Sequence, residues 1–105
     1  MILEAVTLQI KAGESGAFEA AFKQAVPLVQ SINGYISHEL QRSIEQDGCY
    51  LLLIRWKTFR AHTEGFRLSP QYQEWKALLH HFYDPFPAVL HYEETIAGNN
   101  KRKSG

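Results

Sequence analysis

The sequence contains a single cysteine, Cys49, among its 105 residues. An intrachain disulfide is therefore impossible, and the chain is not a small disulfide-stapled scaffold. Cys49 opens the apolar run "CYLLLI", which predicts a buried thiol in a reducing compartment. A nucleophilic cysteine needs a neighbouring base, and the sequence shows none beside Cys49. We therefore assign this thiol no catalytic role.

Long apolar segments and a net charge are absent as well. "CYLLLI" is the longest unbroken apolar run and is far too short to cross a membrane. The N-terminal "MILEAVTLQIK" lacks the basic start and continuous apolar stretch of a signal peptide, so we expect a soluble cytoplasmic protein. The 11 Lys and Arg residues balance the 11 Asp and Glu residues. No overall field attracts nucleic acid or anionic lipid, and neither is an expected partner.

Familiar catalytic motifs are missing too. The sequence has no G-x-S-x-G, no H-E-x-x-H, no P-loop and no G-x-G-x-x-G. The one adjacent histidine pair, His80-His81, points in two directions on a helix, so both rings cannot easily bind one metal ion. We therefore expect no metal site.

The first third of the chain reads as a strand followed by a helix. Apolar residues at alternate positions in residues 2–10 predict the strand. "KAGESG" ends it, and Ser15 is placed to cap the helix that follows. Apolar residues then recur every three or four positions up to Asn33-Gly34, as on one face of a helix. Pro27 lies inside this pattern, where we expect a kink.

Two further strands come next. Residues 35–44 alternate, and Asp47-Gly48 predicts a tight hairpin turn. The following run "CYLLLIRW" does not alternate, which indicates that both faces of that strand are covered. Helices of this chain can cover one face, but the chain is too short to cover the other. A second copy of the chain is the simplest cover.

The remaining chain turns helical and then extended. "FRAHTEGF" predicts one short helix, and "SPQYQEWKALLHHF" another with Ser69 as its N-cap and Pro70 as its first residue. Residues 88–96 predict a last strand. The apolar-poor tail, residues 98–105, predicts disorder, which leaves one domain of residues 1–97.

The resulting order, β-α-β-β-α-α-β, is typical of a ferredoxin-like α+β fold. Such a fold has a four-stranded antiparallel sheet with helices on one face. The bare face of the sheet has to be buried, so we expect a homodimer formed through the open sheet face.

A candidate site lies where the third predicted strand meets the next helix. Trp56 ends the strand, His62 lies in the first turns after it, Phe66 shares the helical face of His62, and Arg67 follows at the helix end. A neutral histidine, a tryptophan and an arginine around an apolar hole could bind and deprotonate a phenol-like molecule. They could equally be a helix cap, a core residue and a surface charge.

Three more residues are assigned to the candidate substrate pocket: His38, Trp75 and Tyr92. His38 also has a structural interpretation, as a hydrogen-bonded strand residue. A two-residue hairpin loop would place Glu39 opposite Trp56, and a three-residue loop would place His38 there. The sequence leaves both registers open.

These features resemble the antibiotic biosynthesis monooxygenase domain family. The resemblance rests on the strand ending in Trp56, on "AHTEGFRLSPQY", on Trp75 and on "DPFPAVLHY"; "FKQAVPLVQSINGYISHEL" is similar to the family's first helix and second strand. The likeness covers about residues 2–96. It implies a dimeric α+β barrel and oxidation of hydroxyaromatic compounds by molecular oxygen without metal or flavin. Trp56 matches the family's tryptophan, and His62 its recurrent helix histidine.

The sequence departs from two branches of that family. Gapless alignment from Trp56 puts Gly65 and Trp75 where the haem-degrading branch has a tryptophan and its axial histidine, which argues against haem. The asparagines of both branches are missing as well. We therefore expect a cofactor-independent monooxygenase of a small hydroxyaromatic or quinol, with Trp56, His62 and Arg67 as its catalytic residues. A non-catalytic dimeric protein that binds a small ligand, for example in stress response, and an isomerase or cyclase remain as alternatives.

Overall fold

A computed structural model describes residues 1–100 and shows one antiparallel sheet with helices on one of its faces. The strands are β1 (Ile2–Gln9), β2 (Tyr35–Arg42), β3 (Cys49–Trp56) and β4 (Val89–Glu93), in the spatial order β2-β3-β1-β4. The helices are α1 (Ser15–Gln30) and α2 (Pro70–Leu79), with a π-helical segment (Ala61–Phe66) and a short 3-10 turn (His80–Phe82). The predicted ferredoxin-like α+β fold is confirmed. Residues 101–105 of the predicted tail lie outside the described residues.

The core forms where one face of the sheet meets the helices. Each strand sends alternate side chains to this face, so the burial of β3 alternates although its sequence does not. Tyr50, Leu52, Ile54 and Trp56 are buried there, whereas Leu51 on the opposite face is 39% exposed. The core residues are Val6, Leu8, Ile10, Phe18, Phe22, Ala25, Val29, Tyr50, Leu52, Ile54, Trp56, Phe66, Trp75, Leu79 and Phe82.

The hairpin between β2 and β3 differs from the prediction. Residues 43–48 form a longer connection in which the Ser43 hydroxyl accepts from the Gln46 N–H at 3.0 Å. A register shift between Tyr35 and Ser37 then places Tyr35 opposite Trp56, and His38 lies opposite Ile54. Both predicted partners of Trp56 are therefore wrong, because the loop is longer than a tight turn and the strand carries a bulge.

The helix ends agree in part with the prediction. Ser69 caps α2 by accepting from the Tyr72 N–H at 3.2 Å, and Pro70 is the first helical residue, as predicted. In α1 the N-cap is Glu14 rather than Ser15, and Glu14 makes no capping hydrogen bond through its side chain. α1 also continues beyond Pro27 to its end at Gln30.

A close backbone contact positions the π-helical segment. Gly34 has φ +98°, and a Cβ built on it would lie 2.6 Å from the Cβ of Ala61. Only glycine fits a conformation and a contact of this kind. The Gly34 carbonyl also accepts from the Lys57 N–H at 2.8 Å, and the Thr58 hydroxyl accepts from the Ala61 N–H at 3.1 Å. These contacts hold the segment that carries His62 against the beginning of β2.

The other face of the sheet has no cover within the described chain. Leu51 on β3 is 39% exposed, and Leu90 and Tyr92 on β4 are 55% and 51% exposed. Leu3 and Leu53 are partly exposed on the same face. We call this surface, made of Leu3, Leu51, Leu53, Leu90 and Tyr92, the open face. These apolar side chains stay in contact with water unless another molecule covers them.

Candidate functional site

A cavity of about 410 Å³ lies between the sheet and the helices. β1, β3 and β4 form its floor, and the π-helical segment, α2 and the chain that leads into β4 form its walls. Its lining residues are Glu4, Val6, Leu8, Leu52, His62, Phe66, Arg67, Tyr72, Trp75, His80, Tyr83, Phe86, Pro87 and Val89. Most of this lining is apolar or aromatic, and a few polar groups converge in it, as is usual for small-molecule sites.

Glu4 is the buried carboxylate of this cavity. It lies on the core side of β1 and is 6% exposed. Its Oε1 atom accepts a hydrogen bond from the indole Nε1 of Trp56 at 2.9 Å. Burial raises the pKa of Glu4 to about 7, although the Trp56 hydrogen bond and the charge of Arg67 oppose the rise. Glu4 can therefore both accept and release a proton near neutral pH.

His62 lies beside this carboxylate. Its Nε2 atom is 3.4 Å from Glu4 Oε1, and its ring stacks on Trp56 with 5.4 Å between the ring centroids. Burial lowers the pKa of His62 to about 3, and the positive charges of Arg67 and His91 act in the same direction. His62 is therefore a neutral imidazole at physiological pH, with one nitrogen free to accept a proton.

A second histidine, His91, contacts the first one. β4 pairs with β1 so that His91 lies opposite Glu4. His91 Nε2 is 2.7 Å from Nδ1 of His62, within hydrogen-bond distance. The His91 ring also packs edge-on against Phe59, with 4.7 Å between the centroids. Burial and the charge of Arg67 lower the pKa of His91 below its ordinary value.

Arg67 is the cation of the site. It follows the π-helical segment and lines the cavity. Its charge lowers the pKa values of Glu4, His62, His91 and Tyr72, although burial has the larger effect at each of them. A single positive charge thus acts on four ionisable groups of the site, and a bound anion would be stabilised by the same charge.

Aromatic side chains supply the remaining walls. Phe66 meets Trp75 edge to face, with 5.4 Å between centroids, and Tyr72 at 5.1 Å. Burial raises the pKa values of Tyr72 and Tyr83 above those of ordinary tyrosines, so both phenols stay protonated and can donate hydrogen bonds. The cavity can therefore hold a flat aromatic ligand between rings and offer donors to its oxygen atoms.

Four residues that the sequence assigned to the site line the cavity: His62, Phe66, Arg67 and Trp75. Trp56 lies behind them; it is fully buried, and it contacts Glu4 and His62 rather than the open space.

His38 and Tyr92 lie away from the cavity. The Nδ1 atom of His38 is 2.5 Å from the Tyr35 hydroxyl, and its ring packs on Phe22, because β2 is the far edge of the sheet from β4. Tyr92 follows His91 on β4, so strand alternation directs its side chain to the open face. Neither side chain can touch a ligand held in this cavity.

Besides Glu4 and His91, the cavity residues Tyr72 and Tyr83 were not assigned to the site from the sequence. Glu4 shares its strand face with Val6, Leu8 and Ile10, and a carboxylate among apolar residues of one parity signals a buried acid. His91 gives a weaker signal, because its neighbours Leu90 and Tyr92 are as apolar as Val89. Its contact with His62 depends on the pairing of β4 with β1, which no local pattern encodes.

Within residues 1–100 no group of three or more His, Cys, Asp or Glu side chains is arranged to hold a metal ion. None of the helices in this range is both long and apolar enough to span a bilayer.

The chain matches a known family. The model of the antibiotic biosynthesis monooxygenase family matches residues 1–78, and the chain belongs to that family. The uncharacterized protein YczJ of Bacillus subtilis is 52% identical over 94 residues, which are 90% of this chain and 99% of that protein.

Two crystal structures illustrate the range of similar proteins. One from Bordetella bronchiseptica, which bears the family's name, is 33% identical with a TM-score of 0.86, over 90% of this chain and 97% of that one. SnoaB, a cofactor-independent oxygenase from Streptomyces nogalater, has 15% identity and a TM-score of 0.71, over 96% of this chain and 97% of its own. The second likeness shows a shared fold.

Proposed function

We propose that the protein is a cofactor-independent monooxygenase that oxidises a small hydroxyaromatic compound or quinol with molecular oxygen. The observation that carries this proposal is the buried carboxylate of Glu4, which faces an aromatic cavity and has a pKa of about 7. A cavity of about 410 Å³ lies within the range of about 300–1,000 Å³ that holds small organic ligands. SnoaB, which has the same fold, is a cofactor-independent oxygenase, and this supports the reaction class.

The first step is removal of the substrate's hydroxyl proton. The ionised Glu4 accepts it, with the neutral His62 close enough to share it. Arg67 stabilises the resulting anion, and the protonated Tyr72 and Tyr83 donate hydrogen bonds to its oxygen atoms. Trp56 positions both acceptors by its hydrogen bond to Glu4 and its stacking on His62.

The substrate anion then supplies the electrons that oxygen needs. It passes one electron to O₂, and the two radicals combine to a peroxide at a ring carbon that carried hydrogen. The peroxide forms as an anion and takes up one proton, which replaces the proton that the substrate gave to Glu4. Loss of water then breaks the O–O and C–H bonds and leaves a quinone. One oxygen atom ends in the product and the other in water, so no external reductant is consumed. The apolar walls keep water from the anion during these steps.

We also propose that the working unit is a homodimer formed through the open face. The support is the row of exposed apolar side chains on that face, Leu51, Leu90 and Tyr92 among them. A second copy would bury this row against its own, as expected for a symmetric interface. The cavity lies on the opposite face of the sheet, so both copies would keep their sites.

An oxygen electrode tests the proposed reaction. Purified protein is mixed with a panel of anthrones, naphthols and quinols, and oxygen uptake is recorded together with the quinone spectrum. We expect uptake that falls by about 10²–10⁴-fold in Glu4→Gln, since the amide keeps the Trp56 hydrogen bond but cannot accept a proton. Glu74→Gln, an exposed carboxylate on α2, is the matched control and should keep full activity.

Other outcomes decide between the alternatives. Thermal stabilisation by a panel compound without oxygen uptake would favour a non-catalytic ligand-binding protein. Conversion of a compound without oxygen uptake would favour an isomerase or cyclase. Full activity in both Glu4→Gln and His62→Ala would contradict the assigned roles.

A further inference from the structure

Two imidazole rings join the buried carboxylate to the protein surface. His62 has Nε2 at 3.4 Å from Glu4 Oε1 and Nδ1 at 2.7 Å from His91 Nε2. His62 is 2% exposed, whereas His91 is partly exposed. The remaining ring nitrogen of His91, Nδ1, makes no hydrogen bond to any residue in the range 1–100. It is therefore open to water.

We propose that Glu4, His62 and His91 form a proton-transfer chain from the cavity to solvent, with His91 as its exit. The part of this chain in turnover rests on the proposed function, whereas its hydrogen-bond arrangement does not. His91 touches neither the cavity nor a ligand in it, so it is a positioning and proton-carrying residue that acts through His62.

The chain works by exchange of N–H and O–H bonds alone. When Glu4 is protonated, its O–H is donated toward Nε2 of His62, so His62 carries its own proton on Nδ1 and donates it to His91 Nε2. Once Glu4 holds the substrate's proton, it passes that proton to His62 Nε2. The Nδ1 proton of His62 moves to His91, and the Nδ1 proton of His91 leaves to water. A turn of each ring, one beside the cavity and one beside solvent, restores the start.

The net reaction releases no proton, so the chain serves to keep Glu4 in proton exchange with solvent during the cycle. The surroundings restrict the other paths for that exchange. Glu4 is 6% exposed, and Trp56 behind it is fully buried, so water has no access from that side. A substrate bound in the cavity would displace water from the cavity side. Arg67 is the fixed charge that acts on all three members, and it disfavours a positive charge that stays on either imidazole. A proton is therefore passed along the chain rather than stored in it.

Nitrogen NMR tests the arrangement without any substrate. With ¹⁵N-labelled histidine, at a pH below the pKa of Glu4 where this carboxyl is protonated, we expect His62 to be protonated at Nδ1 and bare at Nε2 in the wild type. His91→Gln keeps an acceptor near the position of Nε2 and should preserve this tautomer, whereas His91→Leu should convert His62 to a mixture. His81→Gln, an exposed histidine outside the site, is the control. A wild-type His62 protonated at Nε2 would overturn the proposal, because the chain would then be oriented inward.

Turnover gives a second, independent readout. In His91→Gln we expect kcat for oxygen uptake to fall by about tenfold or more with KM unchanged, since the hydrogen bond remains but proton transfer is lost. In His91→Ala, added imidazole should restore kcat in proportion to its concentration. Wild-type kcat in His91→Gln would refute the chain. If the wild type consumes no oxygen with any panel compound, the proposed function fails, and the NMR result still decides the chain.

Discussion

Replacing Glu4 by glutamine should change how the stability of the protein depends on pH. The substitution keeps the shape of the side chain and an oxygen that accepts from Trp56 Nε1, so packing is preserved. What it removes is the ionisation of a carboxyl group that is 6% exposed. The difference in unfolding free energy between variant and wild type therefore isolates the cost of burying this charge.

The size and sign of that difference follow from the two pKa values of Glu4. The unfolded chain releases the proton near 4.5 and the folded chain near 7. Between these values the folded state holds one proton more, so the wild type loses stability as pH rises. At about 1.4 kcal/mol per unit, the loss amounts to about 3 kcal/mol and is complete above the folded pKa. Glu4→Gln has no such loss, so its free energy of unfolding relative to the wild type should rise by about 3 kcal/mol between pH 4.5 and 8.

Urea denaturation at a series of pH values, at one protein concentration, measures this difference directly. The fixed concentration matters because a dimer gains stability with concentration. Glu74→Gln provides the baseline for an exposed carboxylate. A constant gap between Glu4→Gln and the wild type from pH 4.5 to 8 would refute the raised pKa, and with it the assignment of Glu4 as the proton acceptor.

Three further substitutions test other parts of the structure. Trp56→Phe removes the indole donor, so urea denaturation should show a loss of about 1–3 kcal/mol in the free energy of unfolding. A carbon NMR titration of this variant should place the pKa of Glu4 above 7. An unchanged titration would contradict the hydrogen bond. Arg67→Met should raise the pKa of Glu4 in the same titration and raise KM for a hydroxyaromatic substrate. Both values for Arg67→Lys should lie between those of the wild type and Arg67→Met. Equal KM values in the wild type and Arg67→Met would remove Arg67 from the site. Leu51→Glu places a charge on the open face and should yield monomers in sedimentation velocity. The control is Leu68→Glu, at a position that is 77% exposed and lies outside the open face, and it should not change the assembly. Unchanged assembly in both variants would refute the dimer interface.

The strands and helices could be predicted because their signals are local. The parity of β1, the three- and four-residue spacing of α1 and the Ser69-Pro70 start of α2 depend on nearest neighbours in the chain. The β2–β3 register could not be predicted, because Asp47-Gly48 belongs to a longer loop in which Gly48 takes φ +74°. The Asp-Gly signal is the same in a two-residue turn and in this longer loop.

The candidate site also has one part that could be predicted from the sequence and one part that could not. His62, Phe66 and Arg67 follow one another on a single segment, so their grouping could be inferred from sequence spacing. His62 and His91 lie 29 positions apart and meet only because β4 pairs with β1. Tyr92 was placed in the pocket instead of His91 because both faces of β4 carry apolar residues, and its parity cannot be read from such a pattern.

The contact between Gly34 and Ala61 gives this enzyme candidate a weak point far from its chemistry. Gly34 does not line the cavity of the candidate site, yet any added side chain would collide with Ala61 at 2.6 Å and push the neighbouring His62 away from Glu4. A displacement of about 1 Å is enough to disable a catalytic arrangement. Directed evolution of this scaffold toward new substrates should therefore leave both small residues alone and diversify the aromatic walls.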